Sequence, residues 1–208
     1  MSETRILGYW ARSSGHEYHR HSVQEIEEFV GWPKLREICE AGGSPRNKAL
    51  PAALFLTGCR VSEGIQLRRS TFDLADPKRV RCVDVPIVKQ KLGKRSRTFS
   101  FPRGEPVWPY VEQYLAGLKR PDSMLFPFTR KQAYNIVVEQ GKRAGVELWA
   151  HWFRSQRASQ MGADYELTEN DLLEWFKVKD RNWARRYCHK GDAGLWRVIE
   201  KKIPDVYA

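Results

Sequence analysis

The spacing of apolar residues along the chain changes from a helical period to a strand period and back again. Up to Gly58, and again from Pro106 onward, apolar residues recur every three or four positions, which predicts helices. Between Val80 and Phe101 they lie in short runs on either side of a basic turn, which predicts a small antiparallel hairpin. The chain is therefore predicted to be mainly α with a small antiparallel β-sheet, an α+β fold.

Polar caps, prolines and glycines indicate where these helices begin and end. The predicted helices begin at or next to Val23, Pro33, Pro45, Pro106, Thr129, His151, Thr168 and Asp192. Pro51 either kinks the helix that begins at Pro45 or marks its true start. We expect this helix to end at Gly58, because glycine readily adopts the left-handed conformation of a helix C-cap.

A short second helix is predicted directly after Gly58, and it starts at Arg60. An arginine at such a junction can point its guanidinium into a cleft. Glu63 lies three residues on, on the same helical face, and could orient that guanidinium. Taken alone, this short sequence indicates only an arginine that forms a surface ion pair at the start of a helix.

The composition indicates a polyanionic partner. The chain has 208 residues, a net charge of +11 and a pI near 9.6. Charge alone is compatible with nucleic acid, an anionic membrane surface or acidic protein tails. No apolar run approaches the roughly 20 residues of a membrane span, and the first residues lack the apolar core of a signal peptide. The four cysteines contain no Cys-x-x-Cys pair, which indicates reduced thiols in a cytosolic protein without a metal site.

Four later residues change the interpretation of Arg60. Lys91 lies in the predicted hairpin, His151 and Arg154 form a His-x-x-Arg pair, and Tyr187 lies in Arg-Arg-Tyr-Cys-His. This ordered set resembles the tyrosine recombinases, the phage-integrase family, over roughly residues 22–190. The resemblance implies the catalytic-domain fold of that family. We expect a basic N-terminal arm at 1–21, the catalytic domain at 22–190 and a C-terminal tail helix within 191–208.

The resemblance also implies the reaction. Tyr187 would attack a DNA phosphodiester, form a 3′-phosphotyrosyl bond and release a 5′-hydroxyl strand. Arg60 and Arg154 are expected to bind the non-bridging oxygens, because the pentavalent transition state carries added negative charge and arginine is a permanently charged, bidentate donor. Because the phosphotyrosine retains the bond energy, rejoining needs no ATP, metal or other cofactor.

Proton transfer is expected from two further side chains. His151 would take the proton from the tyrosine hydroxyl. By resemblance, Lys91 is the general acid for the leaving 5′-oxygen, and Lys89 and Lys94 are alternatives if the hairpin register differs. A basic loop that only touches phosphates is the competing interpretation of this segment.

DNA binding is predicted on two surfaces. On the hairpin the expected contacts are Lys89, Lys94, Arg95 and Arg97, and on the helix after Thr129 they are Arg130, Lys131 and Asn135. Most such contacts would position the protein on phosphates, and few would read bases. For each of these residues taken singly, the alternative is that it belongs to a solvated charged face and does not contact DNA.

One position departs from the family pattern. Val178 lies nine residues before Tyr187, where the family usually has a histidine or tryptophan that supports the scissile phosphate. Valine cannot donate a hydrogen bond from its side chain. Trp175, Lys177, Lys179 or Trp183 could substitute for it, or the site is weakened.

Three function classes follow from these observations. The leading one is a site-specific recombinase or integrase that acts on double-stranded DNA in the cytoplasm, at the nucleoid, and not on membranes. By resemblance it would assemble as a homo-tetramer on two DNA sites and be a monomer or weak oligomer when free. A type IB topoisomerase and a DNA-binding module with a decayed site are the alternatives. The C-terminal helix either docks on a neighbouring protomer or packs on its own domain.

Overall fold

The computed structural model describes residues 29–88, 96–149 and 151–188. In these ranges the α-helices are α1 Trp32–Glu40, α2 Pro45–Thr57, α3 Val61–Gly64, α4 Trp108–Ala116, α5 Arg130–Arg143, α6 Trp152–Ala163, α7 Glu169–Phe176 and α8 Arg181–Arg185. The strands are β1 Phe72–Asp73, β2 Arg79–Pro86 and β3 Ser96–Pro102. The start of the predicted helix at Val23, the hairpin tip at 89–95 and the predicted helix after Asp192 lie outside the described residues.

The three strands form one antiparallel sheet in the order β1-β2-β3. The register of β2 and β3 runs from Arg79 opposite Pro102 to Pro86 opposite Ser96, with an irregularity between Cys82 and Val85. Buried residues alternate along β3 because successive side chains of a strand point to opposite faces. The prediction of a mainly α fold with a small antiparallel sheet is therefore confirmed.

Helix α2 lies at the centre of the larger hydrophobic core. Every residue from Ala49 to Thr57 is buried, because α1, α4, α5 and α6 pack around this helix. Pro51 lies inside the helix, so the helix begins at Pro45 and Pro51 does not mark its start. The helix ends at Gly58, whose φ of 57° is left-handed, as the sequence predicted.

Helix α6 is also buried on all sides, although half of its residues are polar or charged. The buried polar residues of this helix are Arg154, Ser155, Gln156, Arg157, Ser159 and Gln160. Buried polar groups need hydrogen-bond partners, so α6 must be held by specific contacts as well as by apolar packing. His151 precedes the helix as its N-cap residue and is exposed.

Helices α7 and α8 pack on the far end of α6 and form a second, smaller core with it. Its buried members are Ala158, Met161, Leu172, Phe176, Ala184 and Tyr187. The sequence predicted α7 from the cap at Thr168 and did not predict α8, which has five residues and is capped by Asp180. This second core holds Tyr187 against α6.

Residues 29–88, 96–149 and 151–188 contain neither a membrane-spanning helix nor a cluster of metal ligands. None of the helices there combines the length and the apolar character that crossing a bilayer requires. Within the same ranges, no three potential metal ligands among His, Cys, Asp and Glu cluster together. No disulfide joins the four cysteines, all of which lie in the described ranges, and burial raises the pKa of Cys59, which lies between Gly58 and Arg60.

Candidate active site

The turn between α2 and α3 brings three segments into contact. A Cβ atom on Gly58 would lie 2.4 Å from Cε1 of Phe176 and 3.0 Å from Cζ3 of Trp175. Glycine is therefore required at this position both for the left-handed backbone and for the close approach of the end of α7. The following residues, Cys59 and Arg60, lead directly into α3, whose N-cap is Arg60.

Glu63 holds Arg60 in the predicted way. Its Oε1 accepts from Nη1 of Arg60 at 2.8 Å, and its Oε2 accepts from the Arg60 backbone N–H at 2.9 Å. Only 1% of Glu63 is exposed, whereas 23% of the Arg60 side chain is exposed. Among the described residues, the buried Nε of Arg60 has no hydrogen-bond partner. The guanidinium is thus fixed on one edge and keeps donors for another acceptor.

Arg154 contacts the same turn from α6. Its Nη1 donates to the carbonyl oxygen of Gly58 at 2.8 Å, and its Nη2 donates to that of Phe176 at 3.2 Å. Its guanidinium carbon lies 4.7 Å from the centroid of the Phe176 ring. Burial lowers the pKa of Arg154, and the nearby charges of Arg97 and Arg60 lower it further. The structure therefore brings Arg60 and Arg154 into one cationic cluster, balanced in part by Glu63.

Tyr187 lies beside this cluster and is buried. Its hydroxyl donates to Oγ of Ser155 at 3.2 Å, and its ring meets that of Trp183 edge-on, with the centroids 5.0 Å apart. The guanidinium carbon of Arg154 lies 5.5 Å from the centroid of the same Trp183 ring. One indole therefore contacts both Tyr187 and Arg154.

Gly162 explains how the Tyr187 segment reaches α6. A Cβ atom on Gly162 would lie 2.0 Å from the carbonyl oxygen of Tyr187. Sequence reasoning missed both Gly162 and Ser155, because neither belongs to the motif set. A glycine inside a predicted helix was the available signal for close backbone approach.

The remaining predicted site residues are either exposed or lie outside the described residues. His151 is exposed at the N-terminus of α6, three positions before Arg154. Arg130, Lys131 and Asn135 are exposed on α5. Lys89, Lys91, Lys94 and Arg95 lie outside the described residues. Their proposed roles in proton transfer and DNA binding remain predictions.

Arg97 is not on the exposed hairpin surface where the DNA-binding prediction placed it. Only 3% of this residue is exposed. Its Nη1 donates to the carbonyl oxygen of Trp175 at 2.9 Å, and its Nη2 donates to that of Thr57. Because strand alternation turns Arg97 toward the same side as Phe99, its guanidinium faces the core and not solvent.

Val178 is a packing residue of the second core, and its backbone N–H donates to the carbonyl oxygen of Leu173 at 3.0 Å. Of the residues considered as its substitutes, Trp183 lies against Arg154. Trp175 lies against Arg97, and its buried Nε1 has no hydrogen-bond partner among the described residues.

This chain is similar to known proteins in sequence and in fold. The sequence matches no protein-family profile. It is 26% identical over 204 residues to the tyrosine recombinase XerD of Halalkalibacterium halodurans, in an alignment covering 90% of this chain. That alignment covers 60% of XerD, so the chain spans less than two thirds of this relative's length.

Solved structures match over most of the chain. The XerA recombinase has a TM-score of 0.62 at 19% identity, over 85% of this chain and 64% of XerA. XerH site-specific recombinase bound to difH substrate has a TM-score of 0.58 at 20% identity, over 84% of this chain and 54% of XerH. The catalytic domain of bacteriophage HP1 integrase has a TM-score of 0.53 at 17% identity, over 88% of this chain and 99% of that domain. The chain therefore has the fold of the tyrosine recombinase catalytic domain, as the sequence predicted.

Proposed function

We propose that this chain cleaves and rejoins DNA strands at a specific site through a covalent phosphotyrosyl intermediate. The observation that carries the proposal is the convergence of Arg60 and Arg154 on the turn at Gly58, with Tyr187 joined to Arg154 through Trp183. Two fixed guanidiniums beside a phenol suit a phosphodiester, whose oxygens gain negative charge in the transition state.

The proposed step forms one bond to phosphorus and breaks another. The phenol oxygen of Tyr187 attacks the scissile phosphorus and loses its proton to His151. The bond from phosphorus to the 5′-oxygen breaks, and Lys91 protonates that oxygen. Arg60 and Arg154 bind the non-bridging oxygens throughout. Rejoining is the reverse reaction, with a 5′-hydroxyl as the nucleophile.

Double-stranded DNA is the proposed partner. The names of the similar proteins, XerD and XerH bound to difH substrate, support this class of partner. The net charge of +11 and the exposed Arg130, Lys131 and Asn135 of α5 provide the complementary surface. We place the reaction in the cytoplasm, at the nucleoid, and propose a homo-tetramer as the assembly that exchanges strands between two sites.

The test uses DNA that traps the intermediate. A binding site is first selected from a random-sequence duplex library, and a nick is then placed beside the scissile position so that the released fragment diffuses away. We expect the wild-type chain to form an adduct that survives denaturing electrophoresis, and Tyr187→Phe to bind the same DNA without an adduct. Tyr110→Phe, at a partly exposed tyrosine of α4, serves as the matched control.

The outcomes separate the three function classes. An adduct that depends on Tyr187 supports the proposal. Binding of the selected DNA without any adduct from the wild type would favour a module with a decayed site. Relaxation of supercoiled plasmid lacking the selected site would favour a topoisomerase instead.

A further inference from the structure

Arg97 lies at the base of the hairpin and reaches across to two helix ends. It is the second residue of β3, and its guanidinium donates to the carbonyl oxygens of Thr57 and Trp175. Thr57 is the last residue of α2, and Trp175 is the next-to-last residue of α7. The last carbonyls of a helix have no partner within the helix, and they carry the negative end of its dipole. Arg97 therefore caps two helices with one cation.

Arg154 makes the same pair of contacts one residue further along each helix end. It donates to the carbonyl oxygens of Gly58 and Phe176, which directly follow the acceptors of Arg97. The Phe176 ring contacts both cations, with its centroid 4.7 Å from the guanidinium carbon of Arg154 and 5.5 Å from that of Arg97. Two guanidiniums, those of Arg97 and Arg154, thus join the end of α2 to the end of α7.

This arrangement ties three parts of the candidate site together. The end of α2 leads directly into Arg60, and the end of α7 leads toward Tyr187. The strand that carries Arg97 begins at Ser96, and residues 89–95, which include Lys91, precede it outside the described part of the chain. A displacement of Arg97 would therefore change the spacing among all three segments.

We infer that Arg97 is a positioning residue of the candidate active site, which holds the Arg60 turn, the end of α7 and strand β3 at a fixed separation. This role rests on the proposed function and deepens it. A direct phosphate contact by Arg97 conflicts with its 3% exposure and with the engagement of both of its terminal nitrogens. The role requires the planar fork of arginine, because the single ammonium of lysine cannot reproduce two divergent donors in a fixed geometry.

Arg97→Lys tests the positioning role, because it keeps the positive charge but loses the planar guanidinium with its two divergent donors. Arg81→Lys, at an exposed residue of the neighbouring strand β2, is its matched control. For each variant we would measure DNA affinity, the rate of adduct formation at saturating trapped duplex and the final adduct yield. Hydrogen exchange of the amides at 58–64 and 176–187 provides a readout that does not depend on activity.

We expect Arg97→Lys to bind DNA like the wild type and to form the adduct on the order of 10²-fold more slowly, since displacement by about 1 Å has such an effect. Its final adduct yield should match that of the wild type, whereas irreversible misfolding of part of the protein would lower the yield without slowing the folded remainder. Exchange at 58–64 should become faster. Arg81→Lys should match the wild type in every measurement.

Two results would overturn the inference when the wild type forms an adduct. One is a wild-type rate for Arg97→Lys. The other is an equal loss of DNA affinity and rate, which would make Arg97 a phosphate contact. If the wild type forms no adduct, the proposed function fails, and hydrogen exchange alone decides on Arg97. Faster exchange at 58–64 in Arg97→Lys then supports its positioning role, and unchanged exchange rejects that role.

Discussion

The hydroxyl of Tyr187 donates to Oγ of Ser155, and the two oxygens are 3.2 Å apart. Ser155 directly follows Arg154 on α6, so the proposed nucleophile rests on the same helical turn as one of the two arginines. Tyr187 is 6% exposed and Ser155 is 7% exposed. The phenol is held inside the protein, and the proposed attack on a phosphate requires it to leave Ser155.

The first prediction concerns the energy of this contact. Ser155→Ala leaves the phenol without its acceptor, and Tyr187→Phe removes the donor. Because a hydrogen bond contributes about 1 kcal/mol to folding, we expect a coupling free energy of that order in a double-mutant cycle. Urea unfolding of the wild type, both single variants and the double variant measures it. Strictly additive free energies would mean that the two oxygens do not interact in solution.

Gly162→Ala has two opposing effects on stability, one from helix propensity and one from the close packing of Tyr187. Alanine in a helix interior is ordinarily more favourable than glycine by about 1 kcal/mol. Here the new methyl group would lie 2.0 Å from the carbonyl oxygen of Tyr187, so the segment that carries Tyr187 must move. We expect a lower free energy of unfolding and loss of the covalent adduct.

The control for this variant is Gly117→Ala. A Cβ atom there would lie 3.5 Å from the nearest carbonyl oxygen, an ordinary contact, and the backbone φ is −78°. We expect this substitution to leave the adduct unchanged. An unaltered stability and adduct for Gly162→Ala would contradict the observed packing of Tyr187.

Glu63→Gln should weaken the positioning of Arg60. Glutamine keeps the size of the side chain but removes the negative charge that faces Arg60 and lies close to Arg154. Since hydrogen bonds to charged groups contribute about 1.5–3 kcal/mol, adduct formation should slow by about 10- to 100-fold. Glu112→Gln, which disrupts a more exposed pair with Arg103, is the control and should have no effect on the rate. Equal rates for the two variants would show that the charge of Glu63 is dispensable.

The sequence predicted much of the local structure, because glycine C-caps and ion pairs between residues three positions apart depend only on neighbouring residues. Gly58 ended α2 as predicted, and Glu63 holds Arg60 as predicted. Arg97 was misplaced because its charge was given more importance than the strand period. Residues Arg97, Phe99 and Phe101 alternate along β3 and are all buried, so the period alone indicated an inward-facing arginine.

Contacts between distant segments could not be predicted in this way. Arg157 lies three residues after Arg154, and its partner Glu105 is 52 positions away in the chain. No periodicity indicates which carboxylate a buried arginine will meet. A charged residue on an otherwise buried helix indicates only that a partner must exist.

The buried pair of Glu105 and Arg157 provides the next prediction. Two hydrogen bonds of 2.7 and 2.9 Å join the side chains, and both are at most 1% exposed. Glu105→Leu alone leaves the buried Arg157 with the side-chain oxygen of Gln160 but without a carboxylate to balance its charge, and such changes cost about 3–5 kcal/mol. Combining it with Arg157→Met should restore most of the free energy of unfolding, because a well-packed apolar pair can replace a buried ion pair. Urea unfolding tests this, and a double variant no more stable than Glu105→Leu would contradict it.

The last prediction concerns alkaline pH. The hydroxyl of Tyr165 donates to Oε1 of Glu105 at 2.7 Å, and burial, followed by the charge of Glu105, raises the pKa of Tyr165 above its ordinary value of about 10. The folded protein therefore keeps this proton to a higher pH than the unfolded chain does. The contribution of protonated Tyr165 to the free energy of unfolding is therefore complete below about pH 10 and is lost as the pH rises further.

Urea unfolding between about pH 9 and pH 11 tests this prediction. The free energy of unfolding of Tyr165→Phe should fall less steeply with pH than that of the wild type. Tyr110 and Tyr114, whose pKa values burial also raises, should leave a residual slope, and identical slopes for both proteins would contradict the prediction.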